Sequence, residues 1–562
     1  LGYNHIDENI LTKFPGGEVM KIGNKTLMIL SVLAIIIIVM FGSFLGGTRK
    51  ERRVIEAVDS KDISGRLVVG RANDSVTLDP SCTTEMDSFK VTVNILETLV
   101  KCENGGNDVV PCLAESWKSS EDGLKWVFKL RRGVKFHDGT VFDAHAVVFN
   151  FNRWMDEENP YHKGTFNYWN YIFGGFPGFV KSVTALNNYS VEILLNKPYA
   201  PFLYALTMPA FGIASPEAIE KYSEDLYEHP VGTGPFVFKS WDRDKSIILE
   251  RNQRYWNGAA KVDEIEFKVI PKNKDRLEEL RQGTIHIADY LSIDDIADVK
   301  YDPSLYLHFR PSFNVGYMAI NNEKPPFNDR TVREAISHGI DKEQLIFDVF
   351  DDLAKPALTF IPPSLWGYNG SLEAYEYNPE KARKLLAEAG YPNGFSTTLW
   401  VMDAAREYIP KPLETAQFIK DSLRKIGINV EIEVFNWNEY MNRIHNGEHE
   451  IALIGWTGDY ADPDNFLYTM FASENAKPGL AGNYSFYKSK DVDQLLTQAR
   501  ETTNMSFRRS LYRRIQETVN YDIPSVPLVH TMLVLAARLS VKGYTPHMTG
   551  FESLEQVSLE IE

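Results

Sequence analysis

From about Ser64 onward the chain changes between two hydrophobic periods, and the change divides it into two parts. In the later part apolar residues recur at helical spacing between short apolar runs. Asn378–Gly390 (NPEKARKLLAEAG) keeps Ala382, Leu385, Leu386 and Ala389 on one face. Asn378 suits the cap, Pro379 the first helical position and Gly390 the stop. Thr398–Met402 then reads as a strand and Leu413–Lys425 as a helix. Ile428, Val430, Ile432 and Val434 alternate with polar residues, the period of a strand. Asn438–Asn446 predicts another helix. His449–Gly455 (HEIALIG) holds a continuous apolar run, short enough for a strand covered on both faces. This order predicts an α/β fold whose sheet is mainly parallel with helical crossovers. Earlier in the chain, Lys125–Leu130, Ser190–Leu195 and Ile247–Arg251 are short strands bounded by turn residues, so an antiparallel or mixed part is expected there.

One segment fits neither period. Leu27–Leu45 is a run of 19 uncharged residues, just long enough to cross a bilayer. Lys21 and Lys25 precede it, as in a secretory signal. Phe44 and Leu45 occupy the positions where cleavage would need small residues, and no cysteine follows to take a lipid. An uncleaved N-terminal anchor is therefore expected. Arg49, Lys50, Arg52 and Arg53 lie beyond the run, and the positive-inside rule alone would keep the rest of the chain in the cytoplasm. Met20 begins a normal signal (MKIGNKTLM), so it is read as the true start.

A chain of 562 residues exceeds one hydrophobic core, which predicts two or more domains or lobes. The net charge of −16 lies wholly after the leader, since residues 1–56 carry seven Lys or Arg against five Asp or Glu. So acidic a domain repels nucleic acid, and that partner is set aside. Cys102 and Cys112 flank the turn ENGGNDVVP, so a disulfide across a hairpin is expected, with Cys82 left free.

The chemistry gathers where the buried strand at 449–455 stops. Gly455–Phe466 reads GWTGDYADPDNF, and Asp459, Asp462 and Asp464 follow the strand's carboxyl end. In open α/β sheets ligands sit in the crevice there. A carboxylate at that point can grip a cation such as an α-amine, although for each aspartate a cap or turn role is an equal reading. No Gly-Lys dipeptide occurs, so there is no P-loop, and neither G-x-S-x-G nor H-E-x-x-H is present. His445 and His449 flank the helix-breaking Asn446-Gly447 and are taken as surface residues. The three aspartates lack calcium-loop spacing. No catalytic residue, metal site or cofactor is expected.

GWTGDYADPDNF resembles a signature of the dipeptide-binding proteins of bacterial ABC importers, within the larger group of peptide and nickel solute-binding proteins (family 5). Similar stretches are LAESWKSSEDGLKWVFKLRRGVKFHDG (Leu113–Gly139), NPYHKG (Asn159–Gly164), HPVGTGPF (His229–Phe236), FNVGYMAIN (Phe313–Asn321) and IPPSLWGYN (Ile361–Asn369). The resemblance runs from about Arg66 to the C-terminus. It implies a two-lobe clamp of the periplasmic-binding-protein type, with mixed sheets and crossing segments near Ser312–Gly316 and Leu528–Leu533. Residues 62–313 with 531–562 would form one lobe and 314–530 the other, after a leader at 1–61. It also implies export, against the positive-inside reading, and hence an extracytoplasmic, membrane-anchored monomer that hands its ligand to ABC permease subunits. Asp459 corresponds to the family aspartate that binds the peptide α-amine. Arg406, in WVMDAAREY (Trp400–Tyr408), corresponds to the arginine that binds the α-carboxylate. Asp403 and Glu407 depart from the family pattern there, and would either hold Arg406 or partly neutralise it. Trp456 and Tyr460 are expected to wall the cleft, and Gly455 and Thr457 to complete the ligand-binding set. Other ligands of the family (oligopeptides, glutathione, haem, nickel complexes) and an exported peptide hydrolase are the competing readings.

Overall fold

The structure, a computed structural model, describes residues 65–292 and 295–560. The apolar run 27–45, its basic flanks and Met20 lie outside them. Among the described residues no helix is long and apolar enough to cross a membrane.

The strand–helix pattern of the later part becomes half of a six-stranded sheet. From one edge its strands are Ala354–Pro356, Ser525–Thr531, Asn314–Ile320, Ile451–Thr457, Phe395–Met402 and Ile428–Phe435. Phe395–Met402 runs parallel to both its neighbours, with Leu399 beside Ile451 and beside Ile432. Helices Pro412–Arg424 and Trp437–His445 make the crossovers. The other three strands pair antiparallel, so the sheet is mixed and not mainly parallel. They come from outside the alternating segment, where no crossover helix forces a parallel direction. Asn314–Ile320 lies in the middle with every residue buried. Helix Pro379–Glu388 packs outside, capped by the Asn378 side chain, which accepts from the Lys381 N–H at 2.9 Å. Gly390 ends it at φ +92°, a conformation that costs glycine little.

A seven-stranded sheet takes Leu305–Arg310, Leu533–Arg538, Ile287–Ala288, Arg66–Arg71, Glu264–Val269, Ser246–Arg251 and Phe236–Asp242 in that order. Arg66–Arg71 is parallel to both neighbours and the remaining pairs are antiparallel. A third, antiparallel sheet holds Ala114–Ser119, Lys125–Leu130, Ser190–Leu195 and Val180–Asn187. Its buried side chains run without a break into those of the six-stranded sheet. Tyr199 and Tyr460 meet hydroxyl to hydroxyl at 3.1 Å, and Tyr204 packs on Trp366 with ring centroids 6.0 Å apart.

The chain passes from the seven- to the six-stranded sheet through residues 311–313 and returns through Met532. The two passages are laced together. The Thr531 N–H donates to Asn314 Oδ1 at 3.0 Å, and Ser312 Oγ donates to the Thr531 carbonyl at 2.8 Å.

Two expectations need correction. The hairpin between Cys102 and Cys112 exists, but its register sets Cys102 opposite Val109 and Val100 opposite Pro111. Cys112 therefore falls three positions away from Cys102, roughly 10 Å along the strand, beyond the ~7 Å Cα limit for a disulfide. The Cys102 thiol turns to Thr207 Oγ1 and the Cys112 thiol to Glu97 Oε1, and all three cysteines are free. His449 is not a surface residue. It is fully buried between Trp400 and Phe486, with Nε2 2.8 Å from the Tyr484 carbonyl, and burial lowers its pKa to about 4.

Candidate functional site

The site grows from the carboxyl ends of two neighbouring strands of the six-stranded sheet. Phe395–Met402 and Ile451–Thr457 are parallel neighbours, so their carboxyl ends open on the same side. Arg406 follows the first strand and Asp459 the second. Neighbouring strands stand about 4.8 Å apart, so the two loops leave the sheet at the same end; Asp459 borders a cavity there that Arg406 does not line.

The Asp459 loop is held tightly. The Gly458 N–H donates to the Phe313 carbonyl at 2.8 Å, and a Cβ at Gly458 would stand 2.4 Å from the Phe313 ring, so only glycine fits. Asn465 clamps the next residue twice: its Oδ1 accepts from the Asp459 N–H at 2.9 Å, and its Nδ2 donates to Asp459 Oδ2 at 3.1 Å. The Tyr168 hydroxyl donates to Oδ1 at 2.8 Å. Every donor to this half-buried carboxylate is neutral. Burial pushes its pKa above the ordinary value, the hydrogen bonds from Asn465 and Tyr168 oppose that, and no cation helps.

The two aspartates beside it differ. Asp462 is fully buried and takes both Arg508 Nη atoms, at 2.7 and 2.9 Å, with the Tyr512 hydroxyl at 3.2 Å. Its Oδ1 also accepts the Asp464 N–H at 3.0 Å, the turn role weighed from sequence. Asp464 is 2 % exposed and receives Arg500 Nε at 2.9 Å. Two of the three carboxylates thus have their cations inside the protein. Asp459 has none.

Arg406 mirrors this. Its guanidinium stacks on the Trp437 ring at 3.6 Å from the centroid, and its Nε is buried without a hydrogen-bond partner. Among the described residues it forms no ion pair. The neighbouring acids do not neutralise it: Glu407 accepts from the Tyr290 hydroxyl, and Asp403 is exposed. The Thr531 hydroxyl also donates to the Glu407 carbonyl at 2.5 Å, tying the Arg406 loop to the crossing.

The remaining expected site residues are spread differently. Gly455 faces Gly316 across the central pair, and a Cβ on it would stand 2.2 Å from the Tyr408 ring. A Cβ on Gly316 would stand 2.3 Å from the Tyr408 carbonyl oxygen. The two glycines therefore let the Arg406 loop lie down on the sheet, which is a packing role. Trp456 is half-buried, its Nε1 donating to Asn465 Oδ1 at 3.1 Å. Thr457 is half-buried at the strand's last position, opposite Asn314. Tyr460 is buried against Tyr199 and borders a cavity with Tyr468 and Arg500, not the one Asp459 borders. That second cavity, of about 90 Å³, also meets Leu96, Glu97, Thr207, Met208 and Phe551. Sequence reading missed Tyr168 and Asn465. Asn465 lies inside the GWTGDYADPDNF stretch and was open to discovery, while Tyr168 stands 291 residues from its partner. Among the described residues no three His, Cys, Asp or Glu side chains converge to hold a metal ion.

Mixed sheets joined by paired crossings, with unmatched charges at a strand-end crevice, are the features of a solute-binding protein. The model of the bacterial extracellular solute-binding proteins, family 5, matches residues 108–478, and the chain belongs to that family. It is 35% identical over 480 residues to the dipeptide-binding protein of Escherichia coli, covering 83% of this chain and 89% of that one. It is also 35% identical over 480 residues to heme-binding protein A of Haemophilus influenzae, covering 83% and 87%. Among solved structures, the periplasmic binding protein DppA of Helicobacter pylori, in complex with the peptide STSA, superposes with a TM-score of 0.74 at 36% identity, covering 89% of this chain and 98% of that one. HbpA2 from Haemophilus parasuis superposes with a TM-score of 0.83 at 33% identity, covering 88% and 100%.

Proposed function

We propose that this protein is an extracytoplasmic receptor that captures dipeptides between two lobes and delivers them to an ABC permease, without catalysis. The observation that carries this reading is the pair of unmatched charges. Among the described residues Asp459 is a half-buried carboxylate without a cation and Arg406 a stacked guanidinium without a carboxylate, each following the carboxyl end of neighbouring parallel strands. A free dipeptide is a zwitterion whose two charges are costly to bury unless each finds a partner. Charge-assisted hydrogen bonds of ~1.5–3 kcal/mol each offset that cost. Gripping both ends limits length, since each residue adds ~3.3–3.6 Å of extended chain. Among relatives, the Escherichia coli protein is named for dipeptides and the Helicobacter pylori protein holds a short peptide, whereas the Haemophilus influenzae protein is named for haem.

The lobes in this reading are residues 62–313 with 531–562, and 314–530. The placement of the sheets on either side of residues 311–313 and Met532 supports that division. Two short crossings suit a hinge closing on ligand. The 19-residue apolar run 27–45 supports retention at the outer face of the membrane. The working form is a monomer. Incubating the protein with dipeptides and following both native mass and amino-acid release tests the reading. A 1:1 complex without release is expected, whereas catalytic turnover would make the protein a hydrolase.

A further inference from the structure

The lobe that carries Asp459 and Arg406 holds a further cavity that neither residue touches. Its volume is about 310 Å³, and it lies between helix Lys342–Val349, the end of helix Met505–Asp522 and the start of strand Ser525–Thr531. Its walls include Ile340, Phe360, Val519, Ile523 and Val526, all at most 3 % exposed. Two polar groups in this apolar lining lack full partners. Lys342 Nζ donates to the Ala357 carbonyl at 2.9 Å, and among the described residues it forms no ion pair. Ser525 is 2 % exposed and its Oγ has no hydrogen-bond partner.

Buried polar groups are normally satisfied, and a half-buried ammonium and an orphaned buried hydroxyl lining one cavity mark a place for a hydrogen-bonding ligand. The other titratable groups of the lining do not supply the missing partner. Asp341 caps its own helix, accepting from the Gln344 N–H at 3.0 Å. Glu343, Glu376 and Tyr377 are exposed, and the Tyr375 hydroxyl donates to the Asn520 carbonyl at 2.9 Å. Burial alone lowers the Lys342 pKa, to about 8, with no carboxylate acting to raise it. The ammonium can donate two more hydrogen bonds than it makes.

We propose that this cavity is a second ligand site, for a small monocarboxylate with an apolar tail. Lys342 and Ser525 supply the donors for its carboxylate, and Ile340, Phe360, Val519 and Val526 supply the surface for its tail. A single carboxylate matches the one ammonium, and the exposed acids Glu343 and Glu376 at the lining disfavour a second negative charge. The site is separate from the strand-end crevice. Its occupancy does not depend on what that crevice binds.

Calorimetry on the intact protein with 4-phenylbutyrate, and with its neutral amide, tests this. One saturable site per chain is expected for the acid, with the amide weaker by at least about tenfold, the lower end of what a charge-assisted hydrogen bond supplies. Lys342→Met should weaken the acid by a similar factor and Ser525→Ala by about threefold. Arg406→Ala should leave it unchanged. Should Lys342→Met not fold, Ser525→Ala and the amide carry the test. Absence of saturable binding, equal binding of acid and amide, or loss of binding in Arg406→Ala would each overturn the proposal, the last because the acid would then occupy the crevice.

Discussion

Asp459→Asn should make the ligand-free protein more stable while weakening its hold on a dipeptide. The carboxylate is held by Tyr168 and Asn465, both neutral, so in its ionised form it is a negative charge in a site that disfavours charge. An asparagine keeps the shape. Its oxygen can accept from Asn465 while its amide donates to Tyr168, whose hydroxyl can turn to accept. Removing the unmatched charge should gain ~1 kcal/mol, within the ~0.5–2 kcal/mol that single stabilising substitutions commonly yield. The matched control is Asp462→Asn, three residues on. There the loss leaves Arg508 buried and short of its counter-ion, which costs about 3–5 kcal/mol. The folded pKa of Asp459 is raised, so the proton-bound form favours folding. That contribution is complete below the unfolded value near 3.8 and is lost as pH rises through the folded pKa. The stability advantage of Asp459→Asn should therefore be present at neutral pH and disappear in acid. Thermal unfolding of ligand-free wild type and both variants at pH 7 and pH 4 reads all of this. If Asp459→Asn destabilises as strongly as Asp462→Asn, Asp459 is a structural carboxylate and the argument from unmatched charge fails.

Gly455→Ala places a Cβ 2.2 Å from the Tyr408 ring and should cost ~1–3 kcal/mol, with ligand affinity falling because the Arg406 loop is lifted; denaturant unfolding and calorimetry check both. The hairpin register predicts that oxidised and reduced protein have the same thermal midpoint and that three thiols titrate after unfolding; loss of two titratable thiols would contradict it. Arg406→Lys keeps the charge but loses the planar fork stacked on Trp437, so affinity for a free dipeptide should fall by about tenfold or more.

What the sequence disclosed follows the range of the interactions. The cap of Asn378, the alternation from Ile428 to Val434 and the buried run 451–454 are local, and the corresponding elements stand within a few residues of expectation. Direction of pairing was less legible: Asn314–Ile320 is buried throughout, and such a run does not state which neighbours it takes. The hairpin at Cys102–Cys112 was legible as a turn but not in register, since a six-residue loop can shift the strands by several positions. Asp459 was visible because it ends a strand, yet what separates it from Asp462 and Asp464 lies in Arg508 and Arg500, dozens of residues away. Tyr168 comes from a different sheet region altogether, and no local pattern marks it. The packing of Gly455 against the Tyr408 ring was not legible, because the two positions are 47 residues apart.

The central claim, that Asp459 receives the α-ammonium of a dipeptide, is tested most directly by calorimetry with a free dipeptide and its N-acetylated form on wild type and Asp459→Ala. Acetylation removes the ligand's positive charge. Wild type should prefer the free dipeptide strongly, and Asp459→Ala should lose ~3–5 kcal/mol of affinity for it, the scale for breaking a buried charge pair. The preference should then largely vanish, because the two changes remove the same contact. If Asp459→Ala still rejects the acetylated dipeptide as strongly as wild type does, the amine is held elsewhere and the account is contradicted.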